Sequence, residues 1–171
     1  LTVGGASRKY LGNRTIQNEG LLIEAATSEI VDLDGAAVLN NVGTFDIRST
    51  RFWEHYIGAA GTLTIENTGT LTKSAGTGTF TFYNTVLNNA GTVEVQTGRI
   101  AFGGGGTSTG EFTTGAGASI AFIAGTQTWQ QGVTVTGAGA IVVTLTSASV
   151  GGTLAVEGNV SAPRLDLESV G

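Results

Sequence analysis

Hydrophobic residues alternate with small or polar residues in short runs along most of the chain. Val93 and Val95 flank Glu94, for example, and Ile120 begins a similar run. An alternation with a period of two gives a β-strand one apolar face and one polar face. Each run covers only about 3 to 5 residues, which is shorter than a usual strand. No segment carries an apolar stripe at helical spacing. The pattern predicts an all-β chain of many short strands.

Glycines separate these runs at nearly regular intervals. From Gly110 onward glycine recurs at steps of 7, 8, 7 and 7, so that three steps make 22 positions. Gly69 and Gly91 are also 22 positions apart, and Gly20 and Gly43 are 23 apart. A fixed period in this range indicates a repeat architecture. We expect each glycine to let the chain turn with a positive φ angle.

The grouping by three predicts a coil with triangular turns. The runs are too short for a meander of hairpins, so stacked coils are favoured. Residues about 22 apart would then stack at the ~4.8 Å spacing of neighbouring strands. The sequence therefore predicts a parallel β-solenoid that occupies residues 1–171 as one domain, with irregular ends at 1–11 and 157–171. The period breaks over residues 44–60, where the step from Gly43 to Gly61 is only 18.

The sequence N-x-G-T recurs at three predicted corners of the coil. It begins at Asn41, Asn67 and Asn89, and Asn18 begins a weaker version. Asparagine tolerates tight turns, and its side-chain amide can bond to an asparagine in the next turn of the coil. These residues are therefore predicted to form a structural asparagine ladder.

The N-x-G-T unit, followed by apolar alternation and by glycine-rich steps such as GGGGTSTGEFTTGAGASIAF, resembles a known kind of repeat. It is similar to the right-handed β-helix repeats of large bacterial surface proteins, among them autotransporter passengers and filamentous-haemagglutinin-like adhesins. The resemblance covers roughly residues 12–156. It implies a right-handed coil, a longer parent chain, secretion or display on the bacterial cell surface, and a structural or adhesive role.

Composition excludes several classes of function. Only 12% of the residues are charged and the net charge is −5, which disfavours nucleic acids and anionic membranes as partners. No run of about 18 apolar residues could span a bilayer. The chain contains no Cys, so disulfides, thiolate catalysis and Cys-ligated zinc are absent, and we predict no cofactor and no metal site. The lack of Met at position 1 suggests a processed product or a fragment.

The period break contains the sharpest candidate for a ligand site. Aromatic side chains beside Arg and Glu can stack on sugar rings and bind their hydroxyl groups. The candidate residues are Arg51, Phe52, Trp53, His55 and Tyr56. The alternative is that the aromatic residues cover the core or contact another subunit. The single histidine has no partner with which to form a catalytic triad or a metal site.

Three other features are weaker candidates. Trp129 could form an exposed platform for a sugar, although a tryptophan at the end of a strand more often closes a core. Asp32 and Asp34 have a spacing that is faintly typical of calcium loops, without the further acidic ligands. The run Gly103 to Gly106 lacks the Lys and Ser/Thr of a phosphate loop and is predicted to be a tight corner.

A structural or adhesive solenoid, acting as a stalk or as a self-assembling fibre subunit, is the function that the sequence favours. Open ends of a solenoid expose backbone groups and apolar core, so we expect copies to associate end to end or the coil to continue in a longer chain. A surface glycan is a further expected partner.

Two other classes of function remain as alternatives. An ice-binding solenoid would need an unbroken threonine array, and the expected face reads Thr70/Thr72, Thr92/Glu94 and Glu111/Thr113. A polysaccharide lyase or hydrolase would need paired carboxylates, for which the one candidate pair is Glu94 with Glu111. We predict no enzymatic activity.

Overall fold

The structure is a computed structural model that describes residues 1–28, 30–32, 36–55, 62–146, 152–157 and 159–170. Within these residues the chain forms short β-strands, and no helix is present that could cross a membrane. In chain order the strands are β1 (Thr2–Gly5), β2 (Lys9–Tyr10), β3 (Thr15–Asn18), β4 (Leu21–Ala26), β5 (Ile30–Asp32), β6 (Ala37–Asn41), β7 (Thr44–Ile47), β8 (Phe52–His55), β9 (Leu63–Asn67), β10 (Thr70–Lys73), β11 (Thr79–Tyr83), β12 (Thr85–Asn89), β13 (Thr92–Val95), β14 (Arg99–Gly103), β15 (Gly106–Ser108), β16 (Glu111–Thr114), β17 (Ser119–Phe122), β18 (Gly125–Trp129), β19 (Thr134–Gly137), β20 (Ala140–Thr146), β21 (Gly152–Val156) and β22 (Leu165–Val170).

From β1 to β21 every third strand lies in the same sheet, and β22 then returns to the sheet of β20, so the chain winds as a coil with three faces. Sheet 1 contains β1, β4, β7, β10, β13, β16 and β19. Sheet 2 contains β2, β5, β8, β11, β14, β17, β20 and β22, and sheet 3 contains β3, β6, β9, β12, β15, β18 and β21. The pairings are parallel, and the coil makes about seven turns, roughly 35 Å tall at ~4.8 Å a turn. The predicted all-β parallel β-solenoid is confirmed.

The length of one turn varies around the predicted period. Thr70 pairs with Thr92, a step of 22, and Thr92 pairs with Glu111, a step of 19. Sheet 3 shows the same agreement, because Leu63 pairs with Thr85 at a step of 22. Insertions and deletions lie at the corners, where they leave the pairing of the strands intact.

In sheet 2 the turn that contains the predicted period break has the longest step among the described pairings. Phe52 pairs with Thr81, a step of 29. The corner above Gly43 is Gly69, 26 positions later, because the amide of the residue after Gly69 donates to the Gly43 carbonyl at 2.9 Å. Gly61, the corner that the sequence suggested, lies outside the described residues. The extra length follows β8 and precedes β11, whereas the step into β8, from Ile30 to Trp53, is an ordinary 23.

The interior is filled by columns of stacked apolar side chains. On sheet 2 the inward column contains Trp53, Phe82, Phe102 and Phe122, all at most 2% exposed. The rings of Phe82 and Phe102 are nearly parallel, with centroids 5.3 Å apart. Because the strands repeat at the spacing at which aromatic rings pack well, each turn stabilises its neighbours through side chains as well as through the backbone.

Four asparagines form a hydrogen-bonded ladder inside the corner between sheets 3 and 1. The side-chain amide of Asn18 donates to Asn41 at 2.6 Å, Asn41 donates to Asn67 at 2.6 Å, and Asn67 donates to Asn89 at 2.7 Å. Each amide also donates to a backbone carbonyl at the start of the next strand of sheet 1, as Asn41 does to Thr70 at 3.0 Å. Asn18, Asn41 and Asn67 thereby use both amide hydrogens, and Asn89, the last of the ladder, donates to the Glu111 carbonyl at 3.3 Å.

The corner glycines next to this ladder are required by close approach and not by a positive φ angle. A Cβ at Gly69 would overlap the carbonyl oxygen of Gly43 in the turn below, and Gly69 has no positive φ. The same overlap with the turn below occurs at Gly43, Gly91 and Gly110. The expectation of a positive φ is wrong at these corners, although it is confirmed elsewhere, as at Gly117 with φ 74°. Backbones stack here without space for a side chain.

Substitution of Gly69 by alanine should therefore lower the free energy of unfolding by at least about 2 kcal/mol, because the surrounding backbone cannot move aside. Gly20 occupies the same corner in the first turn and would meet nothing within 4 Å. Gly20→Ala should be neutral or stabilising by about 0.4–1 kcal/mol, through the entropy of the unfolded chain. Denaturant titration of both variants gives the comparison. Equal effects would show that conformational freedom, not stacking, selects glycine.

The ladder predicts a second difference between buried and exposed amides. Asn67→Ala leaves the Asn41 donor and the Asn89 acceptor without partners and should cost roughly 2–4 kcal/mol. Asn40 lies on the outer face, where its amide donates to Gln17 at 2.7 Å, and Asn40→Ala should cost less than about 1 kcal/mol. The midpoints of urea unfolding measure both values. A small effect for Asn67→Ala would show that the ladder contributes little to stability.

Candidate functional site

The predicted ligand segment spans the corner between sheets 1 and 2 and then β8. Alternation along β8 sends Trp53 inward, and Phe52 and Glu54 outward. His55 ends the strand, paired in register with Asp32, and its side chain lies outside what the structure describes. Tyr56 also lies outside the described residues. Among the candidate residues that the structure describes, Phe52 and Trp53 therefore lie on opposite sides of the sheet.

Trp53 belongs to the core of the coil. It is 1% exposed, its ring centroid lies 5.0 Å from that of Phe45, and that of Phe82 lies 5.9 Å away. A side chain in this position cannot stack on a ligand from outside. The other tryptophan, Trp129, is likewise 2% exposed and stacks on Phe112 at 4.9 Å, which agrees with the structural alternative for it.

A groove of about 400 Å³ opens on the outer face of sheet 2, beside Phe52. Phe52 meets Tyr83 edge to face, with ring centroids 5.5 Å apart. In register, Glu54, Tyr83 and Gly103 follow one another up the same outward column, and Ile123 comes next. Glycine supplies no side chain to this column, so a gap is left between Tyr83 and Ile123. We call this gap the Gly103 groove and define it by Phe52, Glu54, Tyr83, Asn84, Gly103, Ile123 and Ala124.

Polar groups stand at one side of the Gly103 groove. The Glu54 carboxylate forms no ion pair with any residue that the structure describes. Asn84 makes the one-residue corner between β11 and β12 with φ 49°, and its backbone amide donates to Gly103 at 3.1 Å. An open apolar wall beside a carboxylate and an amide residue is a typical arrangement for binding a small amphipathic molecule.

Arg48 and Arg51 lie away from the Gly103 groove, at the corner that precedes β8. Arg48 donates to Asp46 at 2.6 Å, and Ser74 donates to the other oxygen of the same carboxylate at 2.6 Å. Arg51 is exposed along a shallow corner groove of about 350 Å³ that also contains Thr27. The sequence had suggested that Arg51 and the aromatic side chains lie together. In the structure Arg51 and Phe52 border different grooves.

Beneath that corner two charged side chains point into the core of the coil. Glu24 and Lys73 both point inward and are 0% exposed. The Glu24 carboxylate accepts hydrogen bonds from the Ser49 hydroxyl and from the Ala26 amide, and the Lys73 ammonium donates to the carbonyls of two corner residues, Ala75 and Gly76. Burial raises the pKa of the Glu24 carboxyl, and burial lowers the pKa of the Lys73 ammonium. These groups are enclosed, so they cannot act on an external substrate.

A bidentate ion pair closes the outer face of sheet 2 near its C-terminal end. Arg99 donates to the two carboxylate oxygens of Glu168 at 2.7 and 3.2 Å, and to Ser119 at 3.0 Å. The hydrogen bonds from Arg99 lower the pKa of the Glu168 carboxyl. Two alanines in the adjacent column, Ala101 and Ala121, are buried although they face outward. A smaller groove of about 200 Å³ lies at this end, beside Arg99 and Asp166, and the Gly103 groove lies apart from it on the same sheet.

The threonine columns of sheet 1 follow the register that the sequence predicted. One outward column contains Thr70, Thr92 and Glu111, and the next contains Thr72, Glu94 and Thr113. Carboxylates interrupt both columns, and Thr72 donates a hydrogen bond to Glu94 at 3.0 Å. Hydroxyl groups bonded within the sheet are less available to order water, so this face does not favour ice binding.

Sequence reasoning missed Tyr83, Asn84, Gly103 and Ile123 as neighbours of Phe52. They lie 31 or more positions away along the chain, in the turns above, and only the register of the long third turn brings them together. The available signal was Asn84, a single polar residue between two strands. Gly103 to Gly106 form a tight corner, as predicted, with Gly105 at φ 72°.

No family model, curated protein sequence or solved structure matches the chain. Among the described residues there is no group of three or more His, Cys, Asp or Glu side chains that could hold a metal ion. Asp34 of the weak calcium candidate lies outside them.

The buried Glu24 predicts a dependence of stability on pH. Its folded-state pKa lies above its ordinary value, so the folded chain binds more protons, and the free energy of unfolding falls as pH rises from the ordinary value through the raised one. Glu24→Gln should remove this fall, so that the variant gains stability relative to the parent as the pH rises above 4.5, the ordinary value of the carboxyl. Denaturant titrations across that range measure the difference.

Glu66→Gln is the matched control for this prediction, because Glu66 lies on the outer face of sheet 3 and accepts a hydrogen bond from Asn88. Its pH profile should follow that of the parent chain. A Glu24→Gln profile parallel to the parent would show that the buried carboxyl does not set the pH dependence.

Proposed function

We propose that this chain is a structural and adhesive β-solenoid unit of a secreted or surface-displayed bacterial protein, of the autotransporter-passenger or filamentous-haemagglutinin type. The continuity of the coil carries the proposal. Three parallel sheets run from one end to the other, and the asparagine ladder and aromatic columns follow the same direction. Bonds between all successive turns give a stiff rod, which suits a stalk that holds another part of a protein away from a surface.

The carboxylates do not favour an enzyme. Glu94 pairs with Thr113, and Glu111 pairs with Thr92, so the two glutamates stand in different columns and not directly above one another. Glu111 accepts hydrogen bonds from Thr113 and Thr136 at 3.2 and 3.1 Å. Both carboxylates lie on a flat sheet face without a cleft that would hold a sugar between them, as a glycoside hydrolase requires.

The C-terminal end of the coil supports association between rods. Leu165 and Leu167 on β22 continue the inward columns of sheet 2, but they are 53% and 66% exposed because sheets 1 and 3 end one turn earlier. Together with Val156, at 46% exposed, they border an apolar groove of about 320 Å³. A further turn of solenoid, from a second copy or from a longer chain, would bury these side chains and pair the open strand edges.

Electron microscopy and light scattering of the purified chain test the association. We expect rods longer than the ~35 Å of one unit and masses above 17.3 kDa that increase with concentration. Charges at the open end should prevent this, so Leu165→Asp/Leu167→Asp should give single units.

The control for this experiment is Val42→Asp, which places a charge at an equally exposed residue, 52%, on the side of the coil. It should assemble like the parent chain. Single units of 17.3 kDa from the parent at every concentration would contradict end-to-end association, and loss of assembly in Val42→Asp would show that it does not occur through the ends.

A further inference from the structure

We propose that the Gly103 groove binds one ring of a neutral glycan. The ligand would be a hexopyranose whose apolar face lies against Tyr83 and Phe52 and whose hydroxyl groups reach Glu54 and Asn84. The proposal names the partner of the adhesive role proposed above and rests on that role for its biological meaning. It does not require that the rods assemble.

The aromatic side chain of Tyr83, which lines the groove, is partly exposed to solvent and does not pack in the core. Tyr83 is 42% exposed at the end of β11, whereas Phe80 and Phe82 on the same strand are fully buried. Phe52 supports Tyr83 edge to face, which fixes the orientation of the exposed ring at little entropic cost. A rigid ring that is half in water is a suitable platform for a flat apolar surface of a ligand.

The floor of the groove depends on Gly103. Its neighbours in the outward column are Tyr83 below and Ile123 above, about two strand spacings or ~9.6 Å apart. A Cβ at Gly103 would lie 3.4 Å from Ile123, so even one methyl group would narrow the gap. A ligand ring would therefore lie over Tyr83 and Ile123, at the ~3.5–4.0 Å typical of carbon contacts, above the buried backbone of Gly103.

The charge of the groove selects the kind of sugar. Glu54 is the charged residue among those that line it, and no cation of the described residues pairs with its carboxylate. A carboxylate accepts hydrogen bonds from hydroxyl groups and repels anions. The net charge of −5 of the whole chain also repels anionic ligands. Neutral sugars are therefore expected to bind, and uronic acids are expected to be excluded.

The position of the groove also fits a solenoid. It lies on an outer face about halfway along the coil, so a ligand would leave both ends of the coil open. It is lined by outward positions of β8, β11 and β14, and the inward residues of the same strands hold these strands in place. A binding site can be built here without a change in the core.

The test uses saturation-transfer NMR and calorimetry with cellotetraose, maltotetraose, laminaritetraose and chitotetraose as neutral probes, and tetragalacturonate as the acidic one. At least one neutral probe should bind, with at least tenfold lower affinity for tetragalacturonate. Tyr83→Ala and Gly103→Ala should each lower the affinity for the neutral probe at least tenfold. Glu54→Gln should reduce the difference in affinity between the neutral probes and tetragalacturonate.

Tyr10→Ala is the matched control, because Tyr10 is 59% exposed in the same outward column of sheet 2 and lies outside the groove. It should bind like the parent. No binding of any neutral probe by the folded parent chain would overturn the proposal, as would undiminished binding by Tyr83→Ala. Assembly of the same samples is read separately by light scattering, so the glycan site can fail while the structural role stands.

Discussion

The fold depends on the close stacking of equivalent corners. At the corner between sheets 3 and 1 the backbone of one turn lies directly on the backbone of the next, so closely that Gly69 has no room for a Cβ above the Gly43 carbonyl. The neighbouring asparagine amides join the turns at 2.6–2.7 Å. This contact fixes the vertical spacing of all three sheets at once. The register of the aromatic columns inside and of the polar columns outside follows from this corner stacking.

A fixed register allows the interior to contain groups that an ordinary small core would exclude. Glu24 and Lys73 are completely buried, yet each is bonded to the backbone or a hydroxyl of a corner. The cost of desolvation appears in the opposite pKa shifts of the two groups, raised for the carboxyl and lowered for the ammonium. Corners provide the unused carbonyl and amide groups that make such burial tolerable. Glu24 and Lys73 both lie in register with Ile47, the last residue of β7, beside the corner between sheets 1 and 2.

The sequence predicts the architecture well because the repeat is local. Alternation over a few residues gives the strands, and N-x-G-T at Asn41, Asn67 and Asn89 marks a corner in three successive turns. The same reasoning fails where one turn differs in length. The break after Gly43 reads as a shortened turn when the nearest glycine is counted, but the turn is lengthened, and Gly69 is the next corner. Alternation alone does not say which of two neighbouring aromatic residues faces inward, so Phe52 and Trp53 were placed together although they lie on opposite sides of β8.

The same physics explains why a site on this fold is difficult to find from sequence. Residues at inward positions and corners pack against or hydrogen-bond to the equivalent residues of the turns above and below. Their residue types therefore repeat and are easy to recognise. Outward positions have no such constraint and can change one at a time. The Gly103 groove results from three such changes in successive turns: an aromatic residue at Tyr83, a missing side chain at Gly103 and an apolar residue at Ile123. Each change is unremarkable along the chain, and only stacking makes them one surface. A binding surface on a solenoid is thus formed by residues from successive turns, which lie far apart along the sequence.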